Sequence, residues 1–337
     1  MQYVQFVGNS RVKVQERPTP QPGPGEALVQ IALSAICGSE MHSYELGINS
    51  EVTGMHNFGH EMVGVVAEVN GCSRLRKGQR VGVNIMKNCG SCYYCLQGDY
   101  VHCVNLSYLM DAHSDYVVAP ESCLIPLPDD LDWDAAVLLC GDTLGTPYHA
   151  IKRLGGVNAA QRAAVFGFGP IGIGSLVWLK YFGLWTVVSE PSAYRRELAS
   201  RLGADLVLDP NAEDVIARIR AETGGGPEVC MDCGGVPQTL NAALDAARIY
   251  GRVAFVGEKK SATIQPSDQV IRKELSMAGA WYFTNAEFFE QVELYRRGLS
   301  VEGIITHRFT LEEAPQAYEL FHSGKAGKVV FYHEGVF

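Results

Sequence analysis

Two textures divide the chain. Up to Ala150 the apolar positions come in short β-type runs, Ala27–Leu33, Met62–Val69 and Arg80–Val83, separated by glycine and proline clusters such as PQPGPGE at 20–26. Runs of this length, punctuated in this way, predict an irregular, mostly β domain. From Ala163 onward, apolar strands at Ala163–Phe166, Leu184–Ser189, Asp205–Leu208, Glu228–Asp232 and Arg252–Val256 alternate with SAYRRELASRL, AEDVIARIRAET and PQTLNAALDAA. The apolar residues of those three stretches recur near the helical period, so the alternation predicts βαβ units and a parallel sheet. Leu275–Trp281 follows, then helical patterns at Ala286–Arg297 and Leu311–His322 and a closing strand at Lys328–Tyr332. The longest apolar run, Ile171–Val188, is interrupted by Lys180 and reads as a buried helix followed by a strand, not as a membrane span. No internal repeat or low-complexity segment is present.

Composition narrows the class. A chain of 337 residues is too long for one ordinary core and predicts two domains. Hydrophobic residues at 47% and charged residues at 19% are those of a compact globular protein. The net charge of −9 argues against a nucleic-acid or anionic-membrane surface. The opening MQYVQFVGNSRVKVQERPTP lacks the basic start and apolar core of a signal peptide. Ten cysteines in that setting predict thiols or metal ligands rather than disulfides, and a cytoplasmic location.

AVFGFGPIG places Gly167, Gly169 and Gly172 as G-x-G-x-x-G directly after a strand and at the start of a helix, with Pro170 and Ile171 inside the motif. Gly167 permits the tight turn, Gly169 lets backbone N–H groups approach a pyrophosphate, and Gly172 allows close helix–sheet contact. Glu190 ends the next strand, where an acid can accept hydrogen bonds from the adenosine ribose of NAD and repel the extra phosphate of NADP. Arg195 begins the following helix and can cover the adenine or pair with a phosphate. The competing reading is a glycine-rich turn without a ligand.

Two kinds of metal site are visible. Cys89, Cys92, Cys95 and Cys103 form C-x2-C-x2-C-x7-C within one loop, a spacing that suits a closed, tetrahedral structural zinc. The Cys-Pro tail of ferredoxin-type iron–sulfur runs is absent. The second set is dispersed: Cys37 in ICGSEMHSY, His60 and Glu61 in NFGHEMVG, and Asp142 in LLCGDTLG. Spacing alone does not bring these together. Cys230 and Cys233, as C-x-x-C at a strand end, read as buried, inert thiols rather than a redox pair.

CGSEMHSY, GHE, the four-cysteine lobe and GFGPIG follow one another in the order found in the medium-chain zinc-dependent dehydrogenases, and GKVVFYHE resembles that family's closing strand. The resemblance covers nearly the whole chain. It implies an α/β protein: a Rossmann doubly wound parallel sheet domain at residues 152–281, and a β-rich GroES-like catalytic domain at residues 1–151 and 282–337. Cys37 and His60 match the first two ligands of a catalytic zinc. Asp142 lies seven residues before His149, where polyol members place a Glu and some secondary-alcohol members an Asp. Cys140 is its rival as third ligand. Glu61 matches the acid that can swing onto the metal or replace a water. Ser39 and His42 match the proton relay, and Val256, at a strand end, joins the cofactor contacts. Gly38 replaces the Arg of many primary-alcohol members and points to the polyol and threonine branch. Two features depart from the family's pattern: the Pro that commonly precedes GHE is missing, and so is a recognisable match at residues 49–58, which should line the substrate cleft.

The activity so implied is hydride transfer between NAD(H) and a polar secondary alcohol or its ketone: a polyol, cyclitol, amino alcohol or sugar derivative. Two zinc ions per chain are expected, with substrate and cofactor in the cleft between domains and a homodimer or homotetramer joined at Leu275–Trp281. A zinc-free quinone or enoyl reductase would leave Cys37, His60 and the four-cysteine lobe unemployed. A non-catalytic NAD(H)-binding protein would leave Ser39 and His42 so.

Overall fold

The structure, a computed structural model, describes residues 1–333, 335 and 336; Glu334, the last residue of GKVVFYHE, and Phe337 lie outside the described residues. The chain forms two compact units, Met1–Gly141 with Thr284–Phe289 and Ile305–Phe337, and Asp142–Phe283 with Glu290–Ile304.

The first unit is built on a seven-stranded sheet. Its two longest strands, Glu26–Ala35 and Glu61–Asn70, run antiparallel with Ala35 opposite Glu61, and Val330 of Lys328–Tyr332 pairs with the other side of Ala35. That register gathers one end of three strands. Cys37 leaves the sheet there, and His60 enters it. Val29, Ile31, Ala32 and Leu33 are all buried, so the strand Glu26–Ala35 is covered on both faces and reads as a continuous apolar run rather than an alternation. Against this sheet packs a core that includes Val4, Phe6, Ile36, Tyr44 and Phe331, to which helix Ala314–His322 contributes Ala314, Ala317, Tyr318 and Phe321.

The second unit holds a six-stranded parallel sheet in the order Leu206–Leu208, Trp185–Ser189, Arg162–Phe166, Val229–Asp232, Arg252–Phe255, Ser276–Gly279. In chain order this is 3-2-1-4-5-6, the doubly wound arrangement in which ligands bind outside the carboxyl ends of the strands. Ile171–Val188 is the buried helix Pro170–Tyr181 followed by a strand, as its pattern implies. Among the described residues no helix is long and apolar enough to cross a membrane.

Helices Glu40–Leu46, Trp133–Leu139 and Asp142–Arg153 lie in the stretch whose pattern predicts mostly strands. In Trp133–Leu139 the residues from Ala135 to Leu139 are all buried, so no polar face marks the period. The division of the chain also differs from the expected 1–151, 152–281 and 282–337. Helix Asp142–Arg153 belongs to the second unit because it lies directly on Pro170–Tyr181. A Cβ on Gly174 would strike the Thr143 carbonyl, and Trp178 Nε1 donates to the Leu144 carbonyl at 2.9 Å. Residues 290–304 stay with it too, since Tyr148 and Lys152 bond the Glu290 carboxylate at 2.9 and 2.8 Å.

Candidate active site and metal centres

In the four-cysteine loop the ligand sulfurs of Cys89, Cys92, Cys95 and Cys103 lie within 4.8 Å of one another. Cys92 and Cys95 Sγ are 3.5 Å apart, as are Cys89 and Cys103 Sγ. Four sulfurs arranged tetrahedrally about 2.3 Å from a zinc ion stand roughly 3.8 Å from each other, whereas a disulfide requires about 2.05 Å. The donor set therefore fits one closed metal site. Ser91 N–H, together with its hydroxyl and the Cys92 N–H, pulls the Cys89 thiol down to about 5, while burial pushes Cys95 up to about 12.

The dispersed set also comes together: one ligand atom from each of Cys37, His60, Glu61 and Asp142 lies within a common 4.8 Å. Local structure places each donor. Cys37 follows the end of strand Glu26–Ala35, while His60 and Glu61 stand where Glu61–Asn70 begins. Asp142 is the residue at which the chain passes into the second unit, and it opens helix Asp142–Arg153. His60 Nδ1 is 2.7 Å from the Phe58 carbonyl, a contact that requires the proton on Nδ1 and leaves the Nε2 lone pair for a ligand. Asp142 Oδ1 accepts from the Thr146 hydroxyl at 2.8 Å, which orients the carboxylate. One thiol, one imidazole and two carboxylates form an acceptable zinc donor set.

Glu61 is fully buried, and its Oε1 pairs at 2.5 Å with Nζ of the equally buried Lys328. Gly141 is required beside it, since a Cβ there would strike the Glu61 carboxylate. The sequence carries no sign of this role, because a lysine opening an apolar strand does not show what it faces. Cys140 is not in the donor group. Its side chain is buried against Gly82 and burial pushes its thiol far up, which suits a core residue better than a ligand. Ser39 Oγ lies 3.4 Å from His60 Nε2, so its hydroxyl borders the donor group. His42 is exposed one turn further along Glu40–Leu46.

The nucleotide turn lies wholly in the second unit. Gly167 has φ +88°, and a Cβ on it would meet Gly234 Cα at 2.7 Å. A Cβ on Gly172 would collide with the Gly167 carbonyl, whereas nothing lies within 4 Å of the same position on Gly169. The space over Gly169, at the N-terminus of helix Pro170–Tyr181, is thus open to a phosphate. Pro170 occupies the first helical position, where its missing N–H costs nothing. Glu190 is buried; its Oε2 accepts from Phe168 N–H at 2.7 Å and its Oε1 from Ser192 N–H at 2.9 Å. The acid at this strand end therefore ties down the glycine turn. Arg196 is committed to the Glu190 and Pro191 carbonyls and to Asp209, while burial and then the Glu190 charge act in opposite directions on Arg195. Ile171 is half-buried on the helix, and Val256 follows strand Arg252–Phe255 with its N–H on the Asp232 carbonyl. Burial raises both thiols of the C-x-x-C pair, Cys233 to about 12 and Cys230 beyond it, which suits inert thiols.

Fold and donor sets together define an oxidoreductase of the zinc-binding, dinucleotide-using kind. Residues 23–129 match the alcohol dehydrogenase GroES-like domain and residues 170–297 the zinc-binding dehydrogenase family. The chain is 33% identical over 337 residues to an L-threonine 3-dehydrogenase of Thermococcus kodakarensis, covering 94% of this chain and 93% of that one. It is 28% identical to human sorbitol dehydrogenase, covering 96% and 93%. An alcohol dehydrogenase from Thermus sp. ATN1 superposes with a TM-score of 0.88 at 28% identity, over 99% of this chain and 100% of the other. The chain belongs to the medium-chain zinc-dependent dehydrogenases, in the branch of the threonine and polyol enzymes.

Proposed function

We propose that this dehydrogenase transfers a hydride between NAD(H) and a polar secondary alcohol or its ketone, of the polyol, cyclitol, amino-alcohol or sugar-derivative class, and holds two zinc ions per chain. The observation that carries the reading is the donor group of Cys37, His60, Glu61 and Asp142 with the Ser39 hydroxyl at its border. Zinc bound there supplies a Lewis acid that lowers the pKa of an alcohol hydroxyl. Ser39 accepts the hydroxyl proton, and the exposed His42 imidazole hands it to solvent. Asp142 is the third ligand, and Lys328 holds Glu61 as an exchangeable acid beside the site. The four cysteines brace their own loop and take no part in the chemistry.

NAD is preferred over NADP because Glu190 presents a carboxylate at the ribose position. The relatives named for threonine and sorbitol, together with Gly38, support a polar secondary alcohol as substrate. Strand Ser276–Gly279 forms one edge of the six-stranded sheet, and Ile249, Tyr250, Ile271, Met277 and Trp281 are exposed near it. An open edge beside apolar side chains favours pairing with a second copy, giving a dimer or tetramer. No disulfide links the ten cysteines among the described residues, which supports a reducing compartment such as the cytoplasm.

The test is a panel of polyols, amino alcohols and simple secondary alcohols with NAD and NADP, run on protein of measured metal content. Turnover of polar secondary alcohols by protein holding close to two zinc ions is expected. Full activity without metal, on quinones or enoyl compounds, would overturn the reading.

A further inference from the structure

Behind the Cys37 turn lies a set of buried polar side chains that none of the roles above employs. Ser34, Glu40, His113 and Tyr318 are each 0% exposed. Glu40 Oε1 accepts the backbone N–H of Cys37 at 2.8 Å. Its Oε2 accepts the Tyr318 hydroxyl at 2.5 Å and lies 3.0 Å from His113 Nε2. His113 Nδ1 is in turn 2.9 Å from Ser34 Oγ. The same imidazole closes the second ligand turn: a Cβ on Gly59, the residue before His60, would meet His113 Cδ2 at 2.5 Å and Nε2 at 2.6 Å. One ring thus stands against both turns that present metal donors.

The arrangement is stiff for physical reasons. A carboxylate withdrawn from water must be paired, so Glu40 cannot leave His113 and Tyr318 without exposing an uncompensated charge. Glu40 cannot shift without abandoning the Cys37 N–H, which is buried and needs its partner. Both supports are themselves fixed by packing. Tyr318 stacks on Tyr44 at 5.3 Å, and His113 meets Phe331 edge-on at 5.0 Å. Burial, then the charge of Glu40, hold the Tyr318 hydroxyl far above its ordinary range, so it donates rather than ionises.

We propose that His113 and Tyr318 are positioning residues for the dispersed metal site, acting through Glu40 and Gly59 on the turns that carry Cys37 and His60. The proposal rests on the reading of that site as a metal site. Partners that orient metal ligands without touching the metal change affinity by about ten- to a hundred-fold when removed.

The test uses full-length protein, loaded with zinc or with cobalt, and the variants His113→Phe, His113→Gln and Tyr318→Phe. In His113→Phe, metal at the dispersed site should pass to a chelator at least about ten-fold faster than in wild type, with release from the four-cysteine site unchanged. The cobalt–thiolate absorption should shift. Tyr318→Phe should move both readouts in the same direction by less, and His113→Gln, which keeps a donor for Glu40, should recover part of the loss. Amide exchange across residues 36–41 of the metal-stripped chain should quicken in the same order. Wild-type release rates and wild-type exchange in both His113→Phe and Tyr318→Phe would overturn the proposal; should His113→Phe fail to fold, Tyr318→Phe decides alone. A wild-type chain that takes no metal at the dispersed site would refute the catalytic reading, while the exchange measurement still decides whether these residues hold the turn.

Discussion

Replacing Glu190 with Gln isolates one charge in a site whose geometry is otherwise kept. The carboxylate is 4% exposed and accepts one backbone N–H on each oxygen, at 2.7 and 2.9 Å. Each oxygen retains a lone pair for a ribose hydroxyl of NAD. The 2′-phosphate of NADP would approach the same oxygens. Two unit charges about 4 Å apart at an effective dielectric constant near 20 repel by about 4 kcal/mol, or roughly a thousand-fold in affinity. Arg195 lies within the field of Glu190 and offsets part of this, so wild-type protein should bind NADH about a hundred-fold more tightly than NADPH. In Glu190→Gln the repulsion is gone, but the amide nitrogen must oppose either Phe168 N–H or Ser192 N–H. One buried hydrogen bond is lost at a cost of about 1–3 kcal/mol. NADH should therefore weaken by about ten-fold while NADPH gains, and the two affinities should meet. Nucleotide fluorescence titrations measure both without knowledge of the substrate. Equal wild-type affinities, or a ratio unchanged in Glu190→Gln, would refute the electrostatic argument. An equal loss for both cofactors would show that Glu190 serves the glycine turn alone.

Other substitutions separate the remaining roles. Cys37→Ser should abolish turnover and leave the melting temperature near wild type, whereas Cys89→Ser should lower it and impair assembly; elemental analysis should find the two variants each missing a different zinc. Asp142→Asn should strip metal from the dispersed site and cut activity far more than Cys140→Ser does, and the reverse ranking in metal retention would hand the third-ligand role to Cys140. Lys328→Met removes the lysine paired with the fully buried Glu61 and should destabilise the first unit by about 3–5 kcal/mol. The double variant Glu61→Gln with Lys328→Met should recover much of that in denaturant melts, and additive losses would show that the pair is not coupled.

The parallel-sheet half was legible because its signal is local. Its first five strands are short apolar runs separated by helices, and the glycine turn needs only residues 167–172 and the strand before them. The four-cysteine site was legible for the same reason, since all its donors fall in one loop. Helix Asp142–Arg153 was not. Eight of its twelve residues are buried, and Gly145 and Pro147 sit within it, so helix propensity does not announce it.

The dispersed site marks where local reading ends. Nothing in the spacing of Cys37, His60, Glu61 and Asp142 shows that they meet, and only the resemblance to a family suggested it. The structure supplies the missing cause in strand register. Ala35 pairs with Glu61 on one side and with Val330 on the other, so the chain arrives at one sheet end from three distant segments. The same register brings Lys328 to Glu61 across 267 positions of sequence, and helix Ala314–His322 brings Tyr318 to Glu40 across 278. These supports were invisible for a physical reason. A lysine, a histidine or a tyrosine gains its role from the one charge it is buried against, and that partner is chosen by long-range pairing, not by its neighbours in the chain. Donor residues leave motifs because the metal dictates their chemistry; the residues that hold the donors in place need only reach them, and many sequences can do that.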